Sequence, residues 1–151
     1  MIDVVLKQVV VNCSAERAFA VFFEQIDHWW PKAQHSVAAT KGLDKAPSVI
    51  CEQREGGRIY ETSAAGGEHQ WGRIMELEPT KRAVFSWHVG RAETEATEVE
   101  VRFVPFNASE SRVELEHRKW EVLGDSAGAT RENYDSGWDF VFIDCFGSAC
   151  N

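Results

Sequence analysis

The sequence is short of the residues on which most metal, nucleotide and covalent chemistry depends. Its five histidines, at 28, 35, 69, 88 and 117, form no HxxxH or HxH pair, and Cys13, Cys51, Cys145 and Cys150 include no CxxC. Zinc sites and thioredoxin-type redox motifs are not indicated, and reduced thiols are expected. No glycine-rich phosphate loop leads into a helix, and Asp135-Ser136-Gly137 is not a GxSxG elbow, so no cofactor is called for. No run approaches the roughly 20 apolar residues of a membrane span. Basic residues are scattered, with nothing longer than Lys81-Arg82 or Arg118-Lys119, under a formal charge of −8. Such a surface repels phosphate backbones, which argues against nucleic acid and anionic membrane as partners. The first residues lack the basic and apolar regions of a secretory signal, so a cytoplasmic location is expected.

Tyr and Met are also scarce, at two each, whereas Trp numbers six and Phe nine. Large rigid apolar groups therefore dominate, and 151 residues are enough to bury about 70% of the unfolded surface around one core. No repeat or long linker divides the chain, and one domain over 1–151 is expected. Residues 3–12 read as a strand ending at Asn12. Ser14 then caps a helix whose Ala18, Phe19, Phe22, Phe23 and Ile26 share one face. A second short helix or turn follows at Ile26 to Pro31, ended by the proline.

Six more strands are predicted near 48–53, 57–62, 69–78, 82–89, 95–105 and 111–121, with loops over 38–47 and 63–68. The short connections favour antiparallel neighbours. Thr97, Val99, Val101 and Phe103 alternate with Glu98, Glu100 and Arg102, giving one dry and one wet face. The cover for the dry face comes last, in a helix over about 129–146. Tyr134, Trp138, Val141, Phe142 and Cys145 mark its inner side, and Gly147 marks its stop. Gly137 within it marks either a close approach to the backbone or a tolerated defect.

These segments carry a family likeness. Ser14-Ala15-Glu16-Arg17-Ala18-Phe19, Trp29-Trp30-Pro31, Glu55-Gly56-Gly57-Arg58-Ile59-Tyr60-Glu61, Trp71-Gly72-Arg73-Ile74, Phe85-Ser86-Trp87 and Tyr134-Asp135-Ser136-Gly137-Trp138 occur in a shared order and spacing over nearly the whole chain. By them it resembles the SRPBCC (START-like) superfamily, in the branch named for the Hsp90 ATPase activator homologue domain. The resemblance implies an α+β helix-grip fold: a curved antiparallel sheet wrapped around a long C-terminal helix, with two short helices after the first strand. It also implies a cavity between sheet and helix, which the superfamily uses for hydrophobic ligands, lipids or polyketide cyclisation. Fold alone does not choose among these uses.

Strand parity nominates the lining. Val113, Leu115 and His117 share a side, so His117 is either a ligand-orienting or acid/base group or a satisfied histidine at the sheet end. Tyr134, Trp138 and Phe142 should face inward from the helix, as cavity lining or as plain core. Trp71 and Arg73 alternate on one strand, where Arg73 would meet a ligand carboxylate if its face is concave and is otherwise a surface cation. Phe85 and Trp87 are expected to point inward. Trp29 and Trp30, taken as unable both to be buried on one side of a short helix, would either form a lid over the pocket mouth or leave one packed in and one partly exposed, the exposed one also serving as a dimer contact.

Three uses follow. The first is binding of a small hydrophobic or aromatic molecule. The second is a cyclase or hydrolase with His117 as its acid/base group. The third is a chaperone-linked or other accessory module presenting the acidic row Glu98, Glu100, Glu114 and Glu116. A homodimer is the default oligomer.

Overall fold

The computed structural model describes residues 2–40, 47–63 and 67–151. Parts of the loops expected over 38–47 and 63–68 lie outside these. The chain opens with β1 (Val5–Val11), followed by helices α1 (Ala15–Glu24), α2 (Ile26–Trp29) and α3 (Val37–Thr40). Six strands follow: β2 (Ser48–Cys51), β3 (Arg58–Thr62), β4 (Glu68–Glu78), β5 (Arg82–Trp87), β6 (Thr97–Asn107) and β7 (Glu110–Arg118). They form one antiparallel sheet in the order β1-β7-β6-β5-β4-β3-β2. The sheet curls as a half-barrel around the C-terminal helix, which is the helix-grip arrangement.

Local chemistry explains the entry. The Ser14 hydroxyl accepts a hydrogen bond from the Arg17 N–H at 3.1 Å, satisfying one of the orphan donors at the start of α1. Ala18, Phe19, Phe22 and Phe23 then pack on the sheet, with Phe19 and Phe103 ring centroids 5.3 Å apart. α2 stops at Trp30, which is extended (φ −67°, ψ 129°) because Pro31 follows. That change of direction lets both neighbouring indoles enter the core, with ring centroids 5.5 Å apart. Trp29 turns back under α1, donating to the Val21 and Phe22 carbonyls at 3.0 and 3.2 Å. Trp30 turns the other way and donates to the His35 carbonyl at 2.6 Å. Both are buried, at 6% and 7% exposure, so the expectation of a half-exposed lid is corrected.

β4 departs from simple alternation twice. Ile59 pairs with Gly72 and Tyr60 with Gln70, so Trp71 is an extra residue; Ile74 pairs with Phe85 and Glu76 with Val84, so Met75 is a second. Each bulge reverses the side on which following residues stand. Trp71 and Ile74 therefore both point inward, while Arg73 points out. Gly72 is obligatory here, since a Cβ on it would lie 1.8 Å from the Ser86 carbonyl oxygen of β5.

Regular alternation holds in β6 and β7, whose Thr97, Val99, Val101, Phe103, Val113, Leu115 and His117 all face the core. On the outer face Glu100 lies between Arg82, Arg102 and Arg118 at 3.1, 3.5 and 2.8 Å. Glu98, Glu114 and Glu116 also pair with Arg118 or Arg102. The row expected to be an acidic contact surface is thus neutralised across strands, because each glutamate has an arginine as a neighbour on the same face.

β7 is followed by Lys119, whose left-handed backbone (φ 66°) turns the chain into a 3₁₀ segment, Trp120–Ser126. The C-terminal helix begins at Ala127, is α-helical to Trp138, takes π-type bonding over Asp139–Phe146, and closes with the turn Gly147–Cys150. Gly147 is therefore not the stop. Its own Cβ would come 3.2 Å from a Val9 methyl, so it marks the close approach of the helix to β1. Tyr134, Trp138, Phe142, Phe146 and Cys150 follow one another at four-residue spacing along the inner side. In an α-helix such a row drifts by about 40° per step, and the wider π-turn compensates. Among the described residues no helix is long and apolar enough to cross a membrane.

Candidate functional site

Above the packed core, the sheet and the C-terminal helix part into a cleft of about 290 Å³. One lip is the segment from Trp30 to Ser36, the floor is the end of β5 at Trp87 and Val89, and the far wall is the helix face carrying Tyr134, Gly137 and Trp138. Aromatic groups dominate. The Trp30 ring centroid lies 5.7 Å from that of Trp87 and 6.0 Å from that of Trp138, and Trp71 backs Trp30 at 5.0 Å. Polar groups sit around the mouth: Gln34, His35, Ser36 and Asn133. Gly137 faces His35, whose Cε1 is 4.0 Å from where a Cβ would stand, so the missing side chain leaves the mouth open.

Two buried polar anchors hold this wall in place. Glu61 is fully buried on β3; its carboxylate accepts from the Trp71 indole N–H at 2.7 Å and from the Val37 and Ala38 N–H groups at 2.6 and 3.1 Å. It thereby ties the segment after the cleft lip to the sheet. His117 is the second anchor. Thr97 donates its hydroxyl to the Trp87 carbonyl at 3.0 Å, leaving its oxygen to accept the His117 Nε2–H at 2.7 Å. Trp138 Nε1–H donates to His117 Nδ1 at 3.0 Å. These directions assign a neutral imidazole protonated on Nε2. Burial pushes its pKa down to about 3, since the charged form would have no water and no counter-charge.

The eight residues nominated from the sequence therefore separate. Trp87, Tyr134 and Trp138 meet on the cleft wall. Trp71, Phe85 and Phe142 are buried in the core beside it. His117 lies behind Trp138, with both ring nitrogens engaged and its ring 4.0 Å from that of Trp120, which suits positioning rather than proton transfer to a bound molecule. Arg73 is on the outside, bonded to Glu93 at 3.0 Å and to the Gly56 carbonyl at 3.2 Å, because the bulge at Trp71 breaks the parity that linked the two. The sequence reading missed Gln34, His35, Ser36 and Asn133. The one available signal for them was the pair of tryptophans just ahead of the lip.

His35 is the ionisable group at the mouth, and partial burial lowers its pKa. Tyr134 is shifted upward, chiefly by burial, with the nearby Trp87 indole N–H acting in the opposite direction. Among the described residues no three His, Cys, Asp or Glu side chains converge as metal ligands would.

A helix-grip domain with an aromatic cleft between sheet and closing helix is the class that fold and geometry define. The chain belongs to the family of activator of Hsp90 ATPase homolog 1-like proteins, whose family model matches residues 12–142. No curated protein sequence matches it at comparable significance. Among solved structures it is similar to the anthrahydroquino-γ-pyrone synthase Txn09, with 32% identity, 98% of this chain and 97% of that chain covered, and a TM-score of 0.65. It is also similar to the self-sacrificing resistance protein CalC from Micromonospora echinospora, with 27% identity, coverage of 96% and 92%, and a TM-score of 0.67. The protein BH1534 from Bacillus halodurans, at 14% identity and a TM-score of 0.68 over 99% and 98% of the two chains, shares the fold.

Proposed function

We propose that the protein binds a planar aromatic small molecule in the cleft between Trp30, Trp87 and Trp138. The observation that carries this reading is the set of three indoles and the Tyr134 ring around one opening of about 290 Å³, near the lower end of the roughly 300–1,000 Å³ typical of ligand sites. Flat aromatic walls favour flat aromatic guests, through offset and edge-to-face contacts added to apolar burial. The polar mouth lets a substituted ring keep its hydrophilic edge in water. Similarity to a synthase named for a fused-ring product is in keeping with such a guest.

The test is titration of the protein with hydroxylated anthraquinones and xanthones, followed by calorimetry and by quenching of tryptophan fluorescence. Saturable one-to-one binding that weakens at least tenfold in Trp30→Ala is expected. Absence of binding across such a panel would remove the proposal.

The 32% identity to a synthase favours a second reading, in which the bound molecule is also converted by ring closure. His35 is then the group placed to move a proton, since it stands at the mouth and titrates below the usual histidine range. His35→Gln should abolish turnover of a candidate substrate while leaving its binding in place; unchanged turnover would refute this role.

A further inference from the structure

Six tryptophans bring six indole N–H donors into the fold, and five of them have an acceptor. Trp29 bonds to the Val21 and Phe22 carbonyls, Trp30 to that of His35, Trp71 to Glu61, Trp120 to the His117 carbonyl and Trp138 to His117 Nδ1. The sixth, on Trp87, is the buried side-chain polar atom left without a hydrogen-bond partner among the described residues. Trp87 is 3% exposed and forms part of the cleft. Native folds rarely leave a buried donor idle, and each such group calls for a reason.

The neighbour of that N–H is the Tyr134 phenol, which stands on the cleft wall. The indole N–H acts on the phenol oxygen without a well-formed hydrogen bond between them. We infer that the Tyr134 hydroxyl is the donor that selects the ligand, and that the ligand class is a planar aromatic ketone whose carbonyl oxygen points into the cleft. Once a carbonyl accepts the Tyr134 proton, the lone pairs of the phenol oxygen are left for the Trp87 N–H, which a small shift of the whole phenol brings into hydrogen-bonding reach. A chain of donors from Trp87 through Tyr134 to the ligand oxygen results, and each bond polarises the next. A guest with only a methylene at that position leaves both donors unanswered, and a site built around a buried donor discriminates strongly against such an analogue. Burial keeps the phenol protonated at neutral pH, so the donor is permanently available.

The inference rests on the cleft being an aromatic-binding site, and the test separates the two. Xanthone and xanthene are both planar three-ring molecules of nearly the same shape, differing by one carbonyl. Their dissociation constants are measured by equilibrium dialysis, with the carbonyl stretch of bound xanthone read by infrared difference spectroscopy. The protein should bind xanthone at least tenfold more tightly than xanthene. Tyr134→Phe should bring the two within threefold of each other and should shift the carbonyl stretch upward. Equal affinity of the unaltered protein for both molecules overturns the ketone inference alone, and so does a preference that survives in Tyr134→Phe. Failure of both molecules to bind overturns the inference and the aromatic-binding reading together.

Discussion

His117 should make stability fall with acid well before the carboxylates are protonated. Its imidazole is held neutral, with a pKa pushed from 6.5 to about 3 by burial, while the unfolded chain takes up a proton at the ordinary value. Between these limits the unfolded state carries more protons, so stability rises with pH; the contribution is complete above 6.5 and is lost as pH falls toward 3. Each unit in that window is worth about 1.4 kcal/mol. From pH 7 to pH 5 the loss integrates to about 2 kcal/mol for this one group. The assay is urea unfolding at pH 7, 6 and 5 on the unaltered protein and on His117→Gln, which cannot titrate. The variant should be less stable at pH 7 by about 1–3 kcal/mol, because the Trp138 N–H loses its acceptor. The gap between the two proteins should then close by about 2 kcal/mol at pH 5, other titrating groups cancelling in the difference. A gap independent of pH, or an imidazole signal titrating near 6.5 in nitrogen NMR, would refute the assignment of a neutral, enclosed histidine.

Three further outcomes follow from other sites. Gly72→Ala places a methyl 1.8 Å from the Ser86 carbonyl oxygen; a cost of at least about 3 kcal/mol is expected, seen as a collapse of the denaturation midpoint. Glu61→Gln keeps the shape but replaces one acceptor oxygen with a donor facing the Ala38 or Val37 N–H, and should cost about 1–3 kcal/mol by urea unfolding. Gly137→Ala adds a methyl that meets only His35 at 4.0 Å and should stabilise the helix by up to about 1 kcal/mol, with a higher melting temperature.

Much of this architecture was legible in the order of residues, for physical reasons. β6 and β7 have one wet and one dry face, and a period of two survives wherever the ladder is regular; those strands read correctly down to His117. β4 did not, because a bulge leaves no mark on hydrophobic periodicity: Trp71 and Arg73 look equivalent until pairing with β3 shows the extra residue. Trp29 and Trp30 were misjudged since the burial of both depends on how the chain leaves α2 before Pro31, a backbone event. The cleft mouth was hidden for a different reason. Gln34, His35 and Asn133 are ordinary surface residues in any local window, and only long-range packing sets them opposite one another.

The mixed bonding of the C-terminal helix makes it a vernier. One pitch is slightly short and the other slightly long for a four-residue repeat, and placed end to end they keep Tyr134, Trp138, Phe142, Phe146 and Cys150 on a single line against the sheet. Such a scale has one setting. Removing a residue between Asp139 and Cys145 would turn everything beyond it by about 100°, swinging Phe146 out of the core while leaving the cleft residues of the first half where they stand. The two halves of one helix thus serve different parts of the molecule, the first carrying Tyr134, Gly137 and Trp138 to the cleft and the second carrying Phe142 and Phe146 to the core, with Val141 the one cleft residue beyond Trp138.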